Sequence, residues 1–106
     1  MSVIVMLQLE ADPAKMEEFA AANKDKMAGI VDRAKSKGLV AHRFFGDDAG
    51  HVIVLDEWPD AESFQRFFES MRTEIEGMMA EVGATGQPEI TFWRELETGD
   101  AVGWQS

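Results

Sequence analysis

Two histidines, His42 and His51, are the side chains of this sequence that change charge near neutral pH, and they bracket a turn-forming segment, Gly46-Asp-Asp-Ala-Gly50. His42 alternates with Val40 and Phe44, which puts its imidazole on a partly buried face. Two roles fit that place: a general base working near neutral pH, or a core histidine bonded to a backbone carbonyl. His51 follows Gly50 and reads as a solvated strand-end residue. Asn23 interrupts an apolar helical stripe between Phe19 and Met27. Its amide must find a partner, either a substrate hydroxyl or carbonyl, or the helix backbone or a buried water. Arg43, Asp56, Glu57, Arg94 and Glu95 bring opposite charges into the strands and are expected to pair across the sheet or a subunit interface. Glu57 is a base only if burial raises its pKa, and otherwise a member of such an ion pair.

Other chemistries lack their residues. The chain has no cysteine, so a disulfide framework, a thiolate nucleophile and a thiolate metal site are all impossible. It has no phosphate-binding glycine loop, no H-E-x-x-H, no G-x-S-x-G and no cluster at metal-ligand spacing. No metal or cofactor is expected. Twenty acidic against ten basic residues leave a formal charge of −10, which repels phosphate backbones and anionic lipid. Nucleic acid and membranes are therefore not expected partners. The N-terminal apolar run stops at Gln8 with no basic segment before it, so neither a signal peptide nor a membrane span is expected. These features describe a soluble, cytoplasmic domain.

The elements that must position these side chains follow from period and punctuation. Residues 3–9 are apolar and β-branched, a strand. Asp12-Pro13 then supplies an N-cap and a first-turn proline. Met16, Phe19, Ala20, Met27, Ile30, Val31 and Ala34 keep helical spacing up to Gly38, which predicts one amphipathic helix of about six turns. Residues 39–45 and 51–58 read as a hairpin around the turn. Asp60 caps a second helix whose stripe, from Phe64, Phe67 and Phe68 through Met71, Ile75, Met78 and Met79 to Val82, ends at Gly83. Residues 84–88 read as a loop and 89–96 as the last strand.

The order βαββαβ predicts an α+β fold, ferredoxin-like, with a four-stranded antiparallel sheet and both helices on one face. Strands one and three are apolar on both alternations: Ile4 and Met6 oppose Val3, Val5, Leu7 and Leu9, and Ile53 and Leu55 oppose Val52 and Val54. Two helices cover only one face. The other is expected to be covered by a second copy, giving a homodimer with its sheets packed face to face.

The element order, the length and the junction Glu57-Trp58-Pro-Asp60-Ala-Glu62-Ser-Phe64 resemble the antibiotic biosynthesis monooxygenase family of dimeric α/β-barrel proteins. The resemblance covers roughly residues 3–96, which makes residues 1–97 the domain and 98–106 a C-terminal tail whose Trp104 is expected to dock on the body or the partner. That family includes oxygenases that oxidise polycyclic phenols without metal or flavin, enzymes that degrade haem, and members with no known activity. Its ligand lies between sheet and helices, with the junction tryptophan in the wall, and the resemblance carries that role to Trp58. The haem-degrading branch uses an asparagine on the first strand and an iron-binding histidine ten residues beyond the tryptophan. Here the first strand offers Met6 and Gln8, and Phe68 stands at the histidine's place. A phenyl ring cannot ligate iron, and the seven methionines read as core filler and not as axial ligands.

Two functions remain open. One is a cofactor-independent monooxygenase acting on a small apolar or aromatic molecule, with Trp58, Phe64, Phe68, Met6, Met27 and Met71 as walls and His42 and Asn23 as polar anchors. The other is a non-catalytic dimeric module that binds a hydrophobic metabolite with the same residues. Few polar groups converge, so the chain leaves the two apart only by experiment.

Overall fold

The computed structural model describes residues 2–103, so Trp104 and its expected docking lie outside the described residues. Strands β1 (Val3–Glu10), β2 (Ala41–Gly46), β3 (His51–Trp58) and β4 (Thr85–Arg94) form one antiparallel sheet in the order β2-β3-β1-β4. The helical segments lie between β1 and β2 and between β3 and β4, which is the ferredoxin-like arrangement, and the sheet is open. Val5, Leu7, Leu9, Val52 and Trp58 from the sheet meet Phe19, Phe64, Phe67, Phe68 and Met79 from the helices to make the core.

Each expected helix is divided in two: α1 (Pro13–Ala22) and α2 (Lys24–Ser36), then α3 (Ala61–Ser70) and α4 (Arg72–Glu81). The first break has a local cause. Asn23 Nδ2 donates to the Phe19 carbonyl at 2.9 Å, taking the acceptor that the Asn23 amide of a continuous helix would use, and that amide shifts to the Ala20 carbonyl at 3.3 Å. At the second break the Ser70 hydroxyl donates to the Phe67 carbonyl at 2.8 Å, while the Met71 amide is shared between the Phe67 and Phe68 carbonyls.

Strand β4 begins four residues before the expected position. Thr85 pairs with Glu10 and Glu89 with Gln8, so residues 86–88 stand opposite Leu9 alone. Bulged out on an edge strand, Gly86 can take a φ of 73° and Pro88 needs no ladder hydrogen bond. The punctuation that reads as a loop is therefore a bulge within the strand.

The turn that orients the β2–β3 hairpin is tied by Asp47, whose carboxylate accepts from the Ala49 and His51 amides at 2.9 Å and meets His51 Nδ1 at 2.7 Å. Those backbone donors, His51 first, hold the Asp47 carboxyl below its ordinary pKa. Gly46, at the end of β2, lies against the Pro13 ring that starts α1. A methyl group added there would come within 2.7 Å of Pro13 Cβ. Gly46→Ala is therefore expected to lower unfolding stability by about 1–3 kcal/mol, the usual range for overpacking a rigid neighbour. Urea unfolding checks this, and an unchanged midpoint would show that the helix start moves freely.

Candidate active site

His42 and Asp56 are direct cross-strand partners in the β2–β3 ladder. Both side chains fall on the helix face, as does Trp58 two residues further along β3. Asp56 is the one buried charged residue among the described residues, 8% exposed. Burying a carboxylate is costly unless its lone pairs are used, and here both oxygens are engaged. Oδ1 meets His42 Nδ1 at 2.7 Å, and Oδ2 accepts from Trp58 Nε1 at 3.1 Å. A carboxylate oxygen accepts, so Nδ1 donates in that contact, and in the neutral form of the imidazole the lone pair is then on Nε2. The His42 side chain is 25% exposed, within reach of a ligand, and the Phe44 ring packs edge-on to it at 5.2 Å.

This chain of three side chains ends at a cavity of about 90 Å3 between the sheet and the helices. Leu7, Val54, Met27, Phe67 and Met78 are among its walls, and His42 and Asp56 are the only polar lining residues among those described. A base on an apolar wall can take a proton from a bound acid in a water-poor setting. Among the described residues, no group of three or more His, Asp or Glu side chains is placed to hold a metal ion.

A monooxygenase from Streptomyces coelicolor, in complex with nanaomycin D, superimposes with a TM-score of 0.68 at 14% identity, over 92% of this chain and 89% of that one. A structure described as an antibiotic biosynthesis monooxygenase gives 0.62 at 15%, over 89% and 98%. The chain has the antibiotic biosynthesis monooxygenase fold. SnoaB, a cofactor-independent oxygenase from Streptomyces nogalater, shares that fold with a TM-score of 0.65 at 17% identity, over 94% of this chain and 98% of that one. No family model matches the sequence, and no curated protein matches it either.

Within this fold, four of the side chains expected at the site meet at the cavity: His42, Met27, Phe64 and Phe68. The other four stand elsewhere. Trp58 is fully buried behind Asp56, between Phe64 and Phe67, whose ring centroids lie 5.9 and 5.5 Å away; it supports the wall without forming it. Met71 is buried at the α3–α4 junction, where its sulfur accepts from Arg33 Nη1 at 3.5 Å. Asn23 has committed its amide to the helix backbone. Met6 alternates with the inward-facing Val5 and Leu7, so it lies on the opposite face of the sheet. Asp56, by contrast, was expected only as a member of a strand ion pair. Its signal was present in the hairpin: closing the turn with Gly46 opposite Val52 sets His42 opposite Asp56, and alternation adds Trp58.

Proposed function

We propose that the chain is a cytoplasmic, cofactor-independent monooxygenase that oxidises a small apolar or aromatic molecule held between sheet and helices. The observation that carries this reading is the His42–Asp56–Trp58 hydrogen-bond chain opening onto an apolar cavity. The likeness in fold to oxygenases described as such supports it. His42 is the catalytic base at Nε2. Asp56 is a positioning residue that holds the tautomer, and Trp58 positions Asp56. Removing a proton from a phenolic substrate makes it electron-rich, and the substrate itself then supplies electrons to dioxygen. Where a ring CH2 becomes C=O, one oxygen atom enters the product, the other leaves as water, and no external reductant is needed. The protein's share is to orient the ring, exclude water and take the proton.

Oxygen uptake with a panel of anthrone-like phenols tests the reading. Uptake at the buffer rate across the panel, or equal rates in wild type and His42→Ala, would sink it. One observation favours a second reading, a non-catalytic module that binds a hydrophobic metabolite: the cavity, at about 90 Å3, is smaller than the ~300–1,000 Å3 of most ligand sites. Saturable binding of the same phenols without oxygen uptake would establish that alternative. Methionines in the wall can change rotamer to admit a larger ring under either reading.

The working unit is proposed to be a homodimer. The sheet face away from the helices carries Ile4, Met6, Ile53 and Leu55 on its two central strands, with Phe45 and Trp93 flanking them at 44% and 56% exposure. An apolar surface of this extent needs a cover, and a second copy meets it isologously. Light scattering at micromolar concentration is expected to give twice the chain mass, and Leu55→Lys, at the centre of the face, to give the monomer mass. A monomeric wild type would overturn the dimer.

A further inference from the structure

The helix side of the fold has a second hollow. Helices α3 and α4 and the start of β4 enclose an open cleft of about 500 Å3. Phe64, Phe68 and Met79 line both this cleft and the inner cavity, so the two hollows share one wall. The wall is thin and aromatic: the Phe64 and Phe68 rings stack with centroids 5.6 Å apart. On the cleft side the Arg72 guanidinium lies 5.4 Å from the Phe68 centroid, and Phe92, 40% exposed, packs edge-on to Phe64. The inner cavity alone is too small for an ordinary organic ligand, whereas cavity and cleft together fall within the usual range.

The rim of the cleft has a definite charge. Arg72 holds Glu69 at 2.6 Å and lies 3.8 Å from Glu76. The Arg72 hydrogen bond lowers the Glu69 pKa and raises that of Arg72, so both are charged at neutral pH. These three are the only ionisable residues among the described lining residues, and two carboxylates outnumber one guanidinium. Gln65 and Gln87 add neutral donors and acceptors.

Building on the reading that the cavity binds an apolar or aromatic molecule, we propose that this cleft is its outer subsite. It takes the far end of an elongated ligand that carries a neutral or cationic hydrogen-bonding group and disfavours one that carries a carboxylate. Phe68 is the movable partition between the two hollows. A Phe68 rotamer change would open the wall: the ring is a buried edge of the core, stacked on Phe64 and covered on the cleft side by the exposed Arg72 guanidinium.

The test is calorimetric binding to the full chain, using phenol as a short probe and para-phenylphenols whose far ring bears an amino, hydroxyl or carboxylate group in the para position. At low salt the hydroxyl and amino probes are expected to bind about fivefold more tightly than the carboxylate, the discrimination that one net charge gives at contact in water. High salt should narrow the gap. Glu69→Gln with Glu76→Gln, both at exposed positions, turns the rim from net negative to net positive and should reverse the preference, leaving phenol binding unchanged. Phe68→Leu should strengthen binding of the long probes severalfold relative to phenol. A carboxylate probe that binds wild type as well as its analogues do, a preference the double variant leaves unaltered, or long probes that fail to bind where phenol binds would each overturn the subsite. Absence of oxygen uptake with these contrasts intact would count against the oxygenase reading and leave the subsite standing.

Discussion

Replacing His42 with alanine is expected to lower oxygen consumption by about two to four orders of magnitude, the usual contribution of a positioned general base. The loss should fall on kcat, because the imidazole is one small patch of an otherwise apolar wall. A sharper form of the experiment uses Asp56→Asn. Trp58 Nε1 is an obligate donor, so the new amide must turn its one oxygen toward Trp58 and its NH2 toward His42 Nδ1. His42 is then driven into the tautomer that carries its proton on Nε2, and it can no longer accept one from substrate. Asp56→Asn should therefore be nearly as damaging as His42→Ala, although it keeps size, packing and both contacts. Adding Trp58→Phe frees the amide to rotate and should restore part of the rate. A role for Asp56 in stability alone predicts the opposite, since the double variant would then be the poorer enzyme. If Asp56→Asn retains full rate, the positioning role is lost.

Trp58→Ala is expected to cost about 3–5 kcal/mol of folding stability, the range for removing a large buried aromatic. Trp58 is wholly inaccessible and touches two phenylalanines of α3, so the cavity left behind cannot collapse without moving that helix. The substitution also strips Asp56 of the donor to Oδ2 and leaves a buried carboxylate oxygen unpaired. Urea unfolding would read this as a large fall in midpoint. Trp58→Phe, which keeps most of the ring volume, should cost much less and isolates the hydrogen bond. A Trp58→Ala protein as stable as wild type would mean that the indole occupies a flexible wall and not a packed core.

The strands and their order were legible because alternation and β-branched runs are local properties of sequence. β3 has the expected limits, and β1 differs from its expected span by one residue. The helical stripes were equally legible as faces. Their breaks were not, since whether Asn23 bonds to a ligand or to the Phe19 carbonyl depends on what surrounds its side chain. The start of β4 was hidden for a related reason: Gly86 and Pro88 read as a loop until Glu10 is there to pair with Thr85.

For the candidate site, period alone put Met27, Phe64 and Phe68 on inward faces and His42 on a partly buried face of its strand; that this face is the helix side came from the fold. Residue types alone ruled out thiolate chemistry. Only the folded chain decided that Trp58 lies beneath the wall and that Asp56, which the hairpin register sets opposite His42, is buried and bonded to both. A carboxylate in a strand reads the same whether it faces water or the core. Its environment is made by helices far away in sequence, and the balance between desolvation and hydrogen bonding is settled only when those helices pack.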